Sequence, residues 1–304
     1  MEPIVFTPLY QQRVWGGREL ETRFGRALPD DGQPYGEAWE MVDREDEQSV
    51  VSEGEHQGRT LHELWTQRRE ELFGERLDGE RFPLLIKILD ARDDLSIQVH
   101  PPQAVAKELG GEPKTEMWYI AGADPGAKLY AGVNEGVNRQ AFATAIDEGK
   151  AEQVVPAFEV SEGDSLFIPS GLLHAIGAGL VIFEIQQNSD TTYRVYDWGR
   201  LGLDGKPRDL HVKESLQSIL FDEGKPKIDA VENGPIASCE HFHVEARVLA
   251  VGEKVCSADR FKIVMIVEGS LEGGHRAGRT LLLPRGGCEV IAGEATRILV
   301  IEVP

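Results

Sequence analysis

Short apolar runs broken by turn-forming residues dominate the middle of the chain. Residues 84–89, 95–99, 117–120, 164–168 and 180–186 are rich in aliphatic and β-branched side chains and bounded by Gly, Pro, Asp or Asn, which predicts strands. Helical spacing appears in 58–77, through Leu61, Leu64, Trp65 and Leu72, and in 138–155, where Phe142, Ala145 and Ile146 repeat at three and four. Residues 102–109 and 212–221 read as two further helices. The pattern predicts a mainly β protein with helical additions. Near 225–235 (KPKIDAVENGP) the composition shifts to a linker type, and strand-like segments resume at 242–251, 261–267, 280–283 and 298–303. A boundary there divides the chain into 1–230 and a smaller β unit, 231–304.

Charge narrows the partners. The 304 residues carry a formal net charge of -20, which repels nucleic acid and anionic membranes, because both are bound mainly by neutralising phosphates. In such a field the few cations gathered at one place become informative. No run approaches the roughly 20 apolar residues that span a bilayer, and Met1-Glu2-Pro3-Ile4 does not open a secretory leader. The expected location is the cytoplasm. Cys239, Cys256 and Cys288 are odd in number and widely spaced, so neither a disulfide framework nor a thiolate metal site is expected. Nothing in the pattern reports the oligomeric state.

Candidate chemistry concentrates in the middle third. In Asp94-Leu95-Ser96-Ile97-Gln98-Val99-His100-Pro101-Pro102 the polar Ser96, Gln98 and His100 alternate with Leu95, Ile97 and Val99, so three polar groups share one strand face. The two prolines then end the ladder. A solvated face would look the same. Lys114 and Glu116 share a face at a strand entrance, a pattern that an exposed ion pair also produces. Gly163 leads into a strand, and Pro169-Ser170-Gly171 then bends the chain and delivers His174 at a defined place. Lys87 interrupts the apolar run 84–89, where an unpaired buried ammonium would be costly. It is expected to face a polar cavity or to snorkel. Glu184 and Gln186 alternate with Phe183 and Ile185 and are expected on the same interior.

Gly163, Pro169, Gly171 and His174 satisfy G-x5-P-x-G-x2-H, and on these residues the chain resembles the cupin superfamily. The usual H-x-H of the first cupin motif is replaced by Gln98-x-His100 followed by Glu116. Q-V-H-P, a downstream K-x-E and P-x-G-x-x-H-A together resemble the type I mannose-6-phosphate isomerase family, as do 14–17 (VWGG), 36–40 (GEAWE), 83–91 (PLLIKILDA) and 184–190 (EIQQNSD). The absence of a long helical insertion is similar to the short bacterial members.

That resemblance implies a cupin barrel with a second, smaller cupin-like β domain. It implies Zn²⁺ held by Gln98, His100, Glu116 and His174, and imidazole and carboxylate donors suit zinc as well as iron or manganese. It implies Arg194 as a catalytic cation; beside it Lys114 is a further catalytic candidate, and Lys87, Ser96, Glu184 and Trp15 are expected to bind substrate. The implied partner is a small sugar phosphate, mannose 6-phosphate interconverting with fructose 6-phosphate through an enediol. Lys114, Glu116 and zinc-bound water all stay open as the proton carrier. Another cupin enzyme, such as an iron oxygenase, and a non-catalytic sugar-binding cupin are the alternatives. In the C-terminal unit, Pro284-x-Gly286 lacks a following His, so His241 and His243 are expected to be ordinary strand residues.

Overall fold

The computed structural model describes residues 1–304 apart from 31, 76 and 223–225. Strand Leu84–Ala91 is buried along its whole length, which requires a packed layer on each of its faces. One face, Leu84, Ile86 and Ile88, joins a core shared with Trp65, Phe73, Phe82 and Phe261. The other, with Leu89 and Ala91, faces a second core containing Trp15, Trp118 and Ile182. Strands Leu180–Gln187 and Glu116–Ala123 alternate in the same way: Phe183, Ile185, Met117 and Tyr119 enter the first core, while Ile182, Trp118 and Ile120 enter the second.

These strands belong to a seven-stranded antiparallel sheet completed by Leu9–Gly17, Tyr35–Met41, Asp164–Ile168 and Ile228–Ala230. A five-stranded sheet faces it, ordered Tyr193–Tyr196, Ile97–Val99, His174–Ile176, Lys128–Ala131 and Ala157–Glu159. Its outer face, through Ile97, Val99, Ala175 and Val195, packs with Phe142 and Ile219 beside helices Arg139–Asp147 and Val212–Ser218. The two sheets enclose the interior in which the polar residues of both collect.

The C-terminal strands form another seven-stranded sheet that recruits Ile4–Thr7 and Val50–Val51 from the opposite end of the chain. Through Ile263, Met265, Leu299 and Ile301 it packs on the outer face of the first sheet. Its other face builds a separate core around Val264, Ile266, Leu281 and Val300. The three sheets agree with the mainly β expectation.

Element limits differ from the expectations for local reasons. The predicted helix 58–77 is two short helices, Leu61–Gln67 and Arg69–Leu72, interrupted at Arg68, whose φ of -130° and ψ of 23° are non-helical. Its start is fixed by a capping box: Thr60 accepts from the Glu63 N–H while Glu63 accepts from the Thr60 N–H. In 138–155 the helix ends at Asp147, and Gly149, at φ 69°, turns the chain before a short 3₁₀ segment, Ala151–Val154. The expected linker is partly sheet. Ile228–Ala230 pairs with Asp164–Ile168, and Gly234–Ser238 pairs with His243–Leu249, partners too distant in sequence for local composition to reveal. Residue 225, its expected start, lies outside the described residues. His243 lies on a strand with Nδ1 2.8 Å from Ser238 Oγ, whereas His241 precedes that strand. Among the described residues no helix is long and apolar enough to cross a membrane.

Candidate metal centre and active-site cavity

Strand register builds the site. Arg194 lies opposite Gln98, and Gln98 opposite His174, on three adjacent strands of the five-stranded sheet. On the facing sheet Glu116 lies opposite Gln186, and the next polar row sets Trp39, Lys87, Glu184 and Trp118 side by side. Side chains alternate along each strand, so both rows project inward while Ile97, Val99, Met117 and Phe183 point outward. The Pro-x-Gly bend at 169–171 has Gly171 at φ 97° with its N–H donating to the His100 carbonyl, tying the two histidine-bearing segments together.

His100, Glu116 and His174 converge. His100 Nε2 stands 3.5 Å from Glu116 Oε2, and His174 Nε2 stands 3.4 Å from Glu116 Oε1. All three residues are essentially inaccessible to solvent. The remaining ring nitrogens face backbone carbonyls, His100 Nδ1 that of Thr191 and His174 Nδ1 that of Leu172, each at 2.8 Å. A carbonyl can only accept, so each Nδ1 carries the proton and each Nε2 presents a lone pair to the carboxylate. Two lone pairs and a carboxylate facing one another without protons between them are unfavourable unless a cation sits there. Among the described residues, His100 Nε2 and both Glu116 oxygens accordingly have no hydrogen-bond partner. This donor set fits a divalent metal with nitrogen and oxygen preference.

Gln98 borders the cluster with its amide nitrogen 3.5 Å from His174 Nε2 and its amide oxygen accepting from Ser96 Oγ at 3.3 Å. Exchanging amide O and N turns the oxygen toward the cluster and leaves the NH₂ to donate to Ser96 Oγ. The fourth ligand of the expected set is therefore compatible with the other three.

Charges around the cluster oppose one another. Burial alone would raise the Glu116 carboxyl, but the Lys114 ammonium, whose Nζ is 3.3 Å from Oε2, holds it well below the carboxylate range. Burial, with Lys114 adding to it, pushes the His100 imidazole down to about 3, and burial also lowers His174. Burial works against the Lys114 charge, yet Glu116 and Glu184 together raise its pKa, so it is an ammonium at neutral pH. Glu184 is pushed up by burial despite Lys87, whose Nζ lies 3.2 Å away, and it accepts from Trp118 Nε1 at 2.9 Å.

The cluster opens on a cavity of about 640 Å³. Trp15, Lys87, Ser96, Gln98, Lys114, His174, Glu184 and Arg194 all line it, whereas His100 and Glu116 do not contribute to its wall. Arg194 Nε donates to Ser96 Oγ at 3.2 Å and its Nη1 to the Asp209 carbonyl at 2.9 Å.

A family model described as phosphomannose isomerase type I, catalytic domain, matches residues 4–121. Mannose-6-phosphate isomerase ManA of Bacillus subtilis (strain 168) is 37% identical over 301 residues, spanning 94% of either chain. The chain belongs to the type I mannose-6-phosphate isomerase family. A mannose-6-phosphate isomerase of Streptococcus mutans serotype c is 41% identical over 318 residues, covering 97% of this chain and 98% of that one. The crystal structure of the Bacillus subtilis mannose 6-phosphate isomerase superposes with a TM-score of 0.87 at 30% identity, over 99% of this chain and 100% of the other. The likeness therefore includes the cupin-type barrel and the C-terminal sheet of the family.

Several cavity residues of this mannose-6-phosphate isomerase family member were not among the sequence candidates. Arg13 pairs with Glu37 at 2.9 Å, and Glu37 also accepts from Trp39 Nε1 at 2.6 Å. Burial opposes the Glu37 charge, but Lys87 and Arg13 bring its pKa down to about 2. The alternation Gly36-Glu37-Ala38-Trp39 carried that signal, since it places Glu37 and Trp39 on one strand face. Arg208 and His211 also line the cavity. They come from a loop and the residue before a helix, where no periodicity marks them.

Proposed function

We propose that the protein interconverts D-mannose 6-phosphate and D-fructose 6-phosphate, with Zn²⁺ held by Gln98, His100, Glu116 and His174. The observation that carries this reading is the convergence of two imidazole lone pairs on one unprotonated carboxylate that, among the described residues, has no hydrogen-bond partner, beside a cation-lined cavity. When bound, the ion would supply Lewis acidity toward the sugar oxygens. The reaction moves a proton from C2 to C1 and hydroxyl protons between O2 and O1 through an enediol, with no net redox change.

In this reading the chain's own groups divide the remaining work. Arg13, Lys87, Lys114, Arg194 and Arg208 bring positive charge to the cavity of a strongly acidic protein, which favours a phosphorylated sugar. Arg194 and the Lys114 ammonium stabilise negative charge that develops on the enediol oxygens. Lys114 is held protonated by Glu116 and therefore acts as a donor. The Glu184 carboxyl lines the cavity, and burial raises its pKa, which suits it to exchange the carbon-bound proton. Trp15, Leu95 and Ile176 supply an apolar wall, and Ser96 orients Arg194. Residues 1–230 carry this chemistry, and the C-terminal β unit supports the outer face of the barrel.

Proton NMR of mannose 6-phosphate in D₂O tests the reading. Conversion to fructose 6-phosphate with deuterium entering at carbon is the expected result. Oxygen consumption with no isomerisation would instead identify an oxygenase on the same scaffold.

A further inference from the structure

Strand Tyr193–Tyr196 forms one edge of the five-stranded sheet, with Arg194 opposite Gln98. Among the described residues, the backbone of Arg194 is held on the open side by one, His211. The His211 N–H donates to the Arg194 carbonyl at 2.7 Å, and the Arg194 N–H donates to His211 Nδ1 at 3.2 Å. Two positions earlier, the Asp209 carbonyl accepts from Arg194 Nη1. Residues 209–211 thus grip Arg194 both at its backbone and at its guanidinium.

A backbone N–H can only donate, so His211 Nδ1 must be the bare nitrogen and the ring proton of the neutral imidazole sits on Nε2. The ring is steadied against Tyr193, with centroids 6.0 Å apart, and lines the cavity beside Thr192 and Arg208. His211 precedes helix Val212–Ser218, but its side chain makes no capping bond there. Its imidazole is committed to the edge strand rather than to the helix.

We propose that His211 is a positioning residue for Arg194. It rests on the reading of Arg194 as the group that stabilises charge on the substrate. Nδ1 completes the hold on the backbone from which the guanidinium reaches into the cavity; without that acceptor the Arg194 N–H loses its partner, and the His211 N–H is left to hold this stretch of the edge from the loop. A displacement of about 1 Å at a reacting centre can cost roughly 100-fold in rate.

Kinetics of mannose 6-phosphate isomerisation, with the melting temperature and bound metal of each metal-loaded protein recorded, test this through three variants. His211→Asn places an acceptor near Nδ1, His211→Gln places its amide near Nε2, and His211→Phe keeps a ring without nitrogen. Expected are kcat losses of tenfold or more in His211→Phe and His211→Gln with KM within threefold, and kcat within threefold of wild type in His211→Asn. Full kcat in His211→Phe or His211→Gln overturns the proposal, as does a loss in His211→Asn equal to that in His211→Gln. A raised KM with intact kcat also overturns it, assigning the ring to ligand binding. The Asn and Gln pair decides the matter if His211→Phe fails to fold. A wild-type protein inactive on mannose 6-phosphate refutes the functional reading itself, which is a separate outcome.

Discussion

Lys114 Nζ stands 3.3 Å from Glu116 Oε2, and both side chains are buried, Lys114 in the cavity wall and Glu116 in the cluster behind it. Each keeps the other charged against the cost of burial. Removing the ammonium leaves His100, Glu116 and His174 in place as donors but takes a fixed positive charge away from the substrate oxygens. Lys114→Met is expected to keep a bound metal and to lose roughly 100-fold or more in kcat. Metal analysis and kinetics on one preparation check this; loss of metal together with activity would make Lys114 a support of the ion instead.

Acid should loosen the metal-free protein through His100. Its folded-state pKa, about 3, lies below the ordinary 6.5, so the unfolded chain takes up a proton that the folded one refuses. The stability contributed by neutral His100 is fully present above pH 6.5 and is lost as pH falls toward 3. Urea midpoints of chelated protein should fall between pH 7.5 and pH 5, and His100→Phe should show a shallower fall. Parallel slopes would remove His100 from that acid lability.

Asp90 has the opposite sign. Burial pushes its carboxyl up to about 6, although it accepts from the Glu19 N–H at 2.6 Å. Its charged form is disfavoured in the fold, so the stability it contributes is fully present below pH 3.8 and is lost as pH rises through 6. The melting temperature of Asp90→Asn relative to wild type should therefore be more favourable at pH 7.5 than at pH 4.5. A difference independent of pH would mean that Asp90 titrates alike in both states.

Thr60, which does not line the cavity, caps helix Leu61–Gln67 through the Glu63 N–H at 3.0 Å. Thr60→Ala should cost about 1 kcal/mol of unfolding free energy and leave kcat and KM unchanged. Altered kinetics would reveal coupling between this helix and the barrel interior.

Much of the barrel was legible because alternation and turns are local. Ser96 and Gln98 alternate with Leu95 and Ile97, and Pro169 with Gly171 marks the bend before His174, so their placement could be anticipated within a few residues. Pairing across long separations was not legible. Ile4–Thr7 joins the C-terminal sheet beside Thr280–Leu283, and Ile228–Ala230 lies in a stretch whose Lys, Pro, Asn and Gly suggest a linker. Neither relation leaves a trace in a short window. The same limit hid His211: its contact with Arg194 depends on a loop returning to a sheet edge, and no repeat or motif in that loop records the return. Glu37 differs, because it sits in an alternating run and only its charged partners, Arg13 and Lys87, are distant.

On the proposed function, His100, Glu116 and His174 hold a metal required for isomerisation of mannose 6-phosphate. One assay on three samples tests it most directly: metal-replete protein, chelated protein, and His174→Ala. Expected are turnover in the first, a loss of at least about 100-fold in the other two, and recovery on adding Zn²⁺ to the chelated wild type but not to His174→Ala. Equal isomerase activity in all three samples would contradict it.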